Sequence, residues 1–280
     1  MTKLKVPFNA EQFIQTVTGA ALGSGLVPEG LYDFVAERGE QPMIVVACAP
    51  RTGSTFLSNV LCQLTGLKYQ RLCSAYSTNE HDLYLPALCI MNPVGCVSQL
   101  HMKGTYHNAA LLRAFGLRPV ILVRNIYDIL VSLMGDVRRK EEMPGFEAGM
   151  NGYSFIWLDS QLIHNDDERL LDALIDLALP WYVNFYVSWQ RLCRQGAVEA
   201  KWVTYEKMMA NKEETLQAIL EFVGARQVRP FSDEVLNKKF FTFNQGGSGR
   251  GEAMLSEAQK ARIRRLFSYY PDVDFSGYGL

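Results

Sequence analysis

The chain has 280 residues, of which 48% are hydrophobic and 11% aromatic, and its formal net charge is −1. This composition supplies enough apolar side chains for one folded domain and argues against disorder, while the near-neutral charge provides no basic surface for nucleic acid. The six cysteines form no C-x-x-C pair, which argues against a structural zinc site.

We expect no secretory signal at the start of the chain, because Lys3 and Lys5 are followed by polar sequence. Apolar residues recur at helical spacing over 11–22 and 31–36, which predicts a helical segment within residues 1–40. We find no apolar run of membrane-span length. We therefore expect a cytoplasmic protein without a membrane span.

Residues 43–56 read Met-Ile-Val-Val-Ala-Cys-Ala-Pro-Arg-Thr-Gly-Ser-Thr-Phe. The β-branched run predicts a buried strand over 43–49, and the amphipathic stretch after the turn predicts a helix over 54–65. A glycine turn between a strand and a helix N-terminus is a common phosphate site. Arg51 adds a charged donor, and Gly53 lets the backbone approach an anion. The segment therefore predicts an anionic, nucleotide-like ligand.

This turn is not a Walker A loop, which needs Gly-x-x-x-x-Gly-Lys-Ser/Thr. Cys48 stands in place of the first glycine, and Ser54 stands in place of the lysine. We expect Ser54 or Thr55 to cap the following helix. An ordinary ATP- or GTP-hydrolysing P-loop is therefore disfavoured.

Further strands and helices alternate along the chain. Strands are predicted over 68–73, 95–102, 120–124 and 201–204, and helices over 80–91 (broken near Pro86), 108–115, 127–139, 211–224 (capped by Asn211 and Glu214) and 255–269. Residues 140–152 are predicted to form a loop, and 153–195 a helical elaboration that covers the sheet or makes a dimer contact. The alternation predicts a single α/β domain with a central, largely parallel sheet flanked by helices, and ligands at the carboxyl ends of the strands.

The strand predicted over 120–124 ends in a second motif. Asn125 and Asp128 are explained as a capping box for the next helix. Arg124 is not, because a charged residue that closes a buried strand usually needs an anion. Ser132 lies on the next turns of the helix and can share that anion. The segment therefore predicts a second anion site at a strand-to-helix junction.

Between the two motifs, strand alternation over 97–104 places Gln99, His101 and Lys103 on one face. An isolated histidine is most often a half-buried structural residue. The position of His101 between two anion motifs favours a general base instead. His107 is the alternative base. The remaining histidines are expected at the surface or in caps: His81 and His164.

The two anion motifs resemble those of sulfotransferases that use 3′-phosphoadenosine 5′-phosphosulfate (PAPS). Residues 50–56 are similar to the 5′-phosphosulfate loop, Pro-Lys-x-Gly-Thr-x-Trp, and 124–132 are similar to the 3′-phosphate motif, Arg-Asn-Pro-x-Asp-x-x-Val-Ser. The resemblance covers about residues 43–255 in the family's motif order. It implies a P-loop-like α/β fold and sulfuryl transfer from PAPS to a hydroxyl of a sugar, phenol or lipid-like alcohol, without a metal.

The resemblance also implies roles for individual residues. His101 corresponds to the catalytic base, and Gln99 stands where the family has a lysine. Because an arginine stays charged, Arg51 cannot readily give a proton to the leaving oxygen, and Lys103 is the hypothetical donor. The implied nucleotide contacts are Arg51, Thr52, Gly53, Ser54, Thr55 and Phe56 at the 5′ end, and Arg124, Ser132, Tyr205, Gly249 and Arg250 elsewhere.

Two of these residues and one segment have structural alternatives. Phe56 is either an adenine neighbour or a core residue, Tyr205 is either an adenine contact or a half-buried strand end, and the 246–251 segment is either a phosphate loop or a plain flexible loop. Two other functions stay open: a P-loop-type small-molecule kinase and a non-catalytic nucleotide-binding protein. The oligomeric state is expected to be a monomer or a homodimer.

Overall fold

The computed structural model describes residues 39–74, 80–141, 156, 158, 160–164, 166–236 and 249–280. In this part of the chain, four strands form one sheet: Met43–Cys48 (β1), Cys96–Leu100 (β2), Val120–Val123 (β3) and Lys201–Thr204 (β4). Their order across the sheet is β2-β1-β3-β4, and every neighbouring pair is parallel. The predicted parallel α/β sheet is confirmed.

Helices connect and cover these strands. They are Ser54–Thr65 (α1), Leu85–Met91 (α2), Tyr106–Ala114 (α3), Ile126–Glu141 (α4), Ser160–Ile163 (α5), Asp167–Leu177 (α6), Leu179–Arg194 (α7), Tyr205–Ala210 (α8), Lys212–Val223 (α9), Asp233–Leu236 (α10), Arg250–Met254 (α11) and Glu257–Phe267 (α12). A 3₁₀ turn, Ser276–Tyr278, lies near the C-terminus.

The sheet is buried on both faces, which explains why its strands read as continuous apolar runs. Val45 and Ala47 of β1 pack on one side, in the core that includes residues of α4 and α7. Ile44 and Val46 pack on the other side, against residues of α1 and α9. All six residues of β1 are buried, so side chains of either parity have an apolar environment.

Two predicted helix caps are wrong. The N-cap residue of α1 is Gly53, not Ser54 or Thr55, and no side chain caps this helix. Asn211 is the N-cap residue of α9, but its side chain makes no capping hydrogen bond. At α1 the left-handed backbone of Gly53 turns the chain into the helix directly, so its first N–H groups point into the turn.

Two other predicted elements differ. Pro86 does not break a helix over 80–91; it lies in the first turn of α2, where its missing N–H costs nothing. The strand predicted over 68–73 is reduced to isolated bridges, from Tyr69 to Val97 and from Cys73 to Leu83. The predicted helices at 11–22 and 31–36, and the loop 140–152 from residue 142 onward, lie outside the described residues.

The stretch Asp167–Arg194 passes the length and composition test for a membrane span, so the expectation that no run reaches this length is wrong. It includes both α6 and α7. Within its most apolar window, 67% of the residues are buried inside the protein. Burial of this kind is what a core helix of the α/β domain requires, because its apolar side chains face the sheet and the neighbouring helices.

Candidate active site

The candidate site lies where the four strands end. Arg51 follows β1 in the turn before α1, His101 directly follows β2, Arg124 directly follows β3, and Tyr205 directly follows β4. Because the strands are parallel neighbours, their carboxyl ends share one edge of the sheet. The topology therefore brings together four residues that are far apart in sequence.

The turn between β1 and α1 is held in an unusual backbone conformation. Arg51 has φ 68° and Gly53 has φ 87°, both in the left-handed region. A Cβ atom at Gly53 would lie 2.6 Å from Cδ2 of Tyr205, so this position requires glycine. The side chain of Thr52 is fully buried, and its hydroxyl donates to the carbonyl of Ala49 at 2.8 Å. These contacts fix the shape of the loop before any ligand binds.

The rest of the loop turns mainly inward. Ser54 is buried, and its side chain lies within hydrogen-bonding reach of the Cys48 thiol. Phe56 is 7% exposed and packs in the core under α9, with the ammonium of Lys212 5.7 Å from its ring centroid. Thr55 is half-buried. Most of the Phe56 side chain is therefore buried in the core, as the core alternative predicts.

The guanidinium of Arg51 reaches across to α4. Its Nε donates to the Ser132 hydroxyl at 3.2 Å, and its Nη1 donates to Asp136 Oδ1 at 3.0 Å. Asp136 is 5% exposed and lies one helical turn after Ser132. Sequence analysis missed Asp136, although its i+4 spacing from Ser132 puts both side chains on the same helix face.

Arg124, from the second anion motif, contacts Arg51 of the first. Its Nη1 donates to the backbone carbonyl of Arg51 at 3.2 Å. Its guanidinium carbon lies 4.4 Å from the ring centroid of Tyr205, in the geometry of a cation–π contact. Tyr205 is buried at the strand end, and burial raises the pKa of its hydroxyl.

The start of α4 fits only half of the predicted capping box. The Asn125 side chain accepts from the N–H groups of Tyr127 and Asp128, as expected for a cap. The Asp128 carboxylate instead accepts from the N–H groups of Gly249, at 2.9 Å, and Gly251, at 2.7 Å. A carboxylate that can satisfy two glycine N–H groups holds this C-terminal segment beside the second motif.

That tether positions two further candidate residues. Gly249 has φ 89° and is the N-cap residue of α11, and Arg250 is exposed at the first position of this short helix. Gly251 packs so closely on α4 that a Cβ atom would collide with the backbone of Tyr127. The structure therefore places the end of the 246–251 segment next to the start of the 124–132 motif, a contact that their spacing in the sequence does not indicate.

His101 is held in one orientation by its neighbours. Its Nδ1 lies 3.1 Å from the Cys48 carbonyl, and because a carbonyl only accepts, Nδ1 carries the hydrogen. Its Nε2 then has the lone pair and lies 3.2 Å from the amide nitrogen of Gln99, which donates to it. Burial lowers the pKa of His101 to about 3. The imidazole is therefore neutral at physiological pH, with its acceptor atom at Nε2.

His81 was expected at the surface or in a cap, but it is buried beside His101, with 3% of its surface exposed. The ring Nδ1 of His81 accepts from the backbone N–H of His101 at 2.8 Å. The backbone N–H of His81 donates to the His101 carbonyl at 2.9 Å. The two rings are stacked, with centroids 5.4 Å apart. No local pattern predicts this pairing, because the two residues are twenty positions apart and only the tertiary fold joins them.

Lys103 and His107 lie further along the same segment. The Lys103 ammonium pairs with the Glu80 carboxylate at 2.6 Å and lies 5.9 Å from the Trp181 ring centroid. The Trp181 indole N–H donates to the same Glu80 oxygen at 3.3 Å. His107 is exposed on α3, with Nε2 3.0 Å from the carbonyl of Leu83. Neither residue makes one of the contacts that orient His101.

Comparison with protein families gives one decisive match: the family model described as "Sulfotransferase domain" matches residues 41–246, which is more than half of the chain. The chain belongs to the sulfotransferase family. This sulfotransferase resembles the crystal structure of mouse sulfotransferase SULT7A1 complexed with PAP, with a TM-score of 0.56 at 13% identity, covering 91% of this chain and 94% of the mouse chain.

A sulfotransferase from Alicyclobacillus acidocaldarius also matches, with a TM-score of 0.45 at 14% identity, covering 86% of this chain and 99% of that chain. A comparison with curated protein sequences found no significant match. The family match and the parallel sheet confirm the predicted family, fold class and enzyme class. They also decide against the kinase alternative for this sulfotransferase.

Proposed function

We propose that this sulfotransferase transfers the sulfuryl group of PAPS to an acceptor hydroxyl, with His101 as the general base. The acceptor oxygen would form a bond to sulfur while the bond from sulfur to the 5′-phosphate oxygen breaks. The acceptor proton would pass to His101 Nε2, and 3′-phosphoadenosine 5′-phosphate would leave. The observation that carries this proposal is the placement of Arg51, His101 and Arg124 at adjacent strand ends.

The two anion motifs suit the two ends of that nucleotide. The α1 N-terminus and Arg51 form a cationic turn of the kind that binds a terminal phosphate. Arg124 contacts the carbonyl of Arg51, so it lies beside this turn, and Ser132 is on the helix that follows it. The mouse sulfotransferase of similar fold is complexed with PAP, which supports the same ligand here.

The contacts of His101 orient its Nε2 lone pair for proton abstraction, and the lowered pKa makes the imidazole a weaker base than a free histidine. The Cys48 carbonyl fixes the tautomer through Nδ1, and burial raises the pKa of the Cys48 thiol to about 12, so no thiolate competes for the proton. Gln99 donates to Nε2 at 3.2 Å, so the acceptor hydroxyl must replace this hydrogen bond to reach the lone pair. A base oriented in this way typically contributes about 10²–10⁴-fold to the rate.

We further propose that Lys103 donates a proton to the leaving oxygen. Its ammonium pairs with Glu80, so donation requires this ion pair to open. Lys103→Ala is expected to lower kcat by about tenfold or more while the Kd of 3′-phosphoadenosine 5′-phosphate stays near normal. Lys68→Ala, at an exposed lysine, is the matched control. Unchanged kcat in Lys103→Ala would remove Lys103 from the mechanism.

The acceptor class is the least determined part of the proposal. A sugar, a phenol and a lipid-like alcohol all present a hydroxyl that His101 can deprotonate. A non-catalytic nucleotide-binding protein would keep both anion sites but would need no base. The geometry around His101, with its tautomer fixed and Nε2 carrying the lone pair, favours catalysis over simple binding.

The experiment has two stages. Thermal shift with 3′-phosphoadenosine 5′-phosphate is expected to raise Tm by several degrees at saturating ligand, whereas ATP with Mg²⁺ is expected to give a smaller shift. Acceptor mixtures of sugars, phenols and long-chain alcohols are then incubated with ³⁵S-labelled PAPS, and labelled products are separated. Equal or larger stabilisation by ATP with Mg²⁺ would contradict the choice of nucleotide, and tight binding without any transfer would favour the non-catalytic alternative.

A further inference from the structure

We infer that Asp136 is a positioning residue that holds the Arg51 guanidinium in the orientation needed to bind the 5′-phosphate end of the nucleotide. The inference rests on the proposed function, because it assigns a role within the same site. Asp136 lies in neither anion motif, and it is four residues after the last residue of the second motif. Its role follows from its contacts in the fold.

The geometry fixes the guanidinium at two points. Ser132 and Asp136 are one turn apart on α4, and they accept from Nε and Nη1 of Arg51 at 3.2 and 3.0 Å. Two hydrogen bonds to a planar group define both its position and its plane. A guanidinium has five N–H donors, and these two contacts do not use Nη2 or the second hydrogen of Nη1.

Burial makes these contacts restrictive. The side chains of Arg51 and Asp136 are 15% and 7% exposed, so water cannot readily replace either partner. The backbone of Arg51 is also held, because its φ of 68° is unusual for a residue with a side chain and its carbonyl accepts from Arg124. The side chain and the backbone of the same loop residue are thus anchored from α4 and from the end of β3.

The carboxylate does not cancel the positive charge of the pocket. Asp136 also pairs with Arg139 and with Lys140, the latter at 3.3 Å. Three cations around one carboxylate leave a net positive charge, which still attracts a phosphate. A lysine at position 51 would have one flexible ammonium and would need no planar support, so the contact matches the arginine in this loop.

The opposite role for Asp136 is that of a placeholder anion that competes with the phosphate for Arg51. The two roles predict opposite changes. If Asp136 positions Arg51, neutralising the carboxylate weakens nucleotide binding. If it competes with phosphate, neutralising it strengthens binding, because an attractive partner of the cation has been removed.

The test is a double-mutant cycle on the Kd of 3′-phosphoadenosine 5′-phosphate, measured by titration calorimetry on the full chain. Asp136→Asn is expected to weaken binding about tenfold in the native background and less than about twofold in an Arg51→Lys background. Asp136→Glu, which keeps the charge, is expected to recover part of the loss. Asp172→Asn removes a carboxylate that pairs with Arg262 at 2.7 Å on another helix and is the matched control, with unchanged Kd.

The outcomes are decisive whether or not each variant is stable. Unchanged or tighter binding in Asp136→Asn, or an equal loss in both backgrounds, overturns the positioning role. If Asp136→Asn fails to fold, the comparison of Asp136→Glu with the native chain in both backgrounds decides the question, because only the positioning role makes its effect depend on Arg51. Failure of the native chain to bind the nucleotide would instead contradict the proposed function.

Discussion

His101→Ala is expected to lower kcat by about 10²–10⁴-fold, because the variant removes the proposed base while leaving both anion motifs in place. The Kd of 3′-phosphoadenosine 5′-phosphate is expected to change by less than about threefold, since no nucleotide contact is assigned to the imidazole. Turnover is measured with ³⁵S-labelled PAPS and the best acceptor from the screen, and binding is measured by calorimetry on the same samples.

His107→Ala is the matched control, because His107 is the alternative base and is exposed on α3. Its kcat is expected to equal that of the native enzyme. A large loss in His107→Ala together with normal turnover in His101→Ala would exchange the two assignments. Equal losses of turnover and nucleotide affinity in His101→Ala would indicate a structural role for the ring instead.

The pH dependence of this enzyme follows from the same residue. Burial lowers the pKa of His101 from 6.5 to about 3, so the proposed base is already neutral across pH 5–8. We therefore expect no loss of kcat from its protonation in that range. The unfolded chain takes up this proton near pH 6.5 but the folded chain only near pH 3, so acidification through that window destabilises the fold.

The sequence was most informative where the chemistry is local. The strand, turn and helix that build the first predicted anion site lie within residues 43–65, and the apolar run, the glycine and the arginine are visible there together. The same holds for Arg124 at the end of β3. Local signals of this kind fix both the secondary structure and the position of the charged residue, and the parallel sheet then follows from their alternation.

Contacts between distant segments could not be predicted in this way. Asp136 accepts from Arg51, which is 85 positions earlier, and Asp128 accepts from Gly251, which is 123 positions later. The sequence assigned Asp128 to a local capping box because both partners of such a box are visible within four residues. Two glycine N–H groups from another segment replace that bond, and only the tertiary fold places them within reach.

His81 is another residue whose contacts with a distant segment could not be predicted from the sequence. His81 lies in the helix predicted over 80–91 and was expected at the surface or in a cap, yet it is buried against the end of β2 and makes two hydrogen bonds to the backbone of His101. The segment that carries His81 continues into Asp82 and Leu83, which Asn108 of α3 contacts through its side-chain amide. The orientation of the proposed base therefore depends on a loop whose packing has no sequence signature.

Arg124→Ala is expected to remove the proposed preference of the enzyme for a nucleotide with a 3′-phosphate. Losing charge-assisted hydrogen bonds to one phosphate should weaken 3′-phosphoadenosine 5′-phosphate by about 10- to 100-fold. Adenosine 5′-phosphate lacks that group, and its Kd should rise only slightly, through the lost contact between Arg124 and the carbonyl of Arg51. The measurement is the ratio of the two Kd values in the native chain and in the variant.

Two further variants test whether a change in the ratio of the two Kd values is specific to Arg124. Arg51→Ala is expected to weaken both nucleotides by similar factors, because both carry the 5′-phosphate that Arg51 is proposed to bind. Arg191→Ala removes an arginine whose guanidinium lies 5.5 Å from the Tyr270 ring centroid, a contact of the same kind as that of Arg124 with Tyr205, and should change neither Kd. Equal losses for the two nucleotides in Arg124→Ala would mean that Arg124 serves only to hold the loop, because a residue bound to the 3′-phosphate must discriminate between ligands that differ in that group alone.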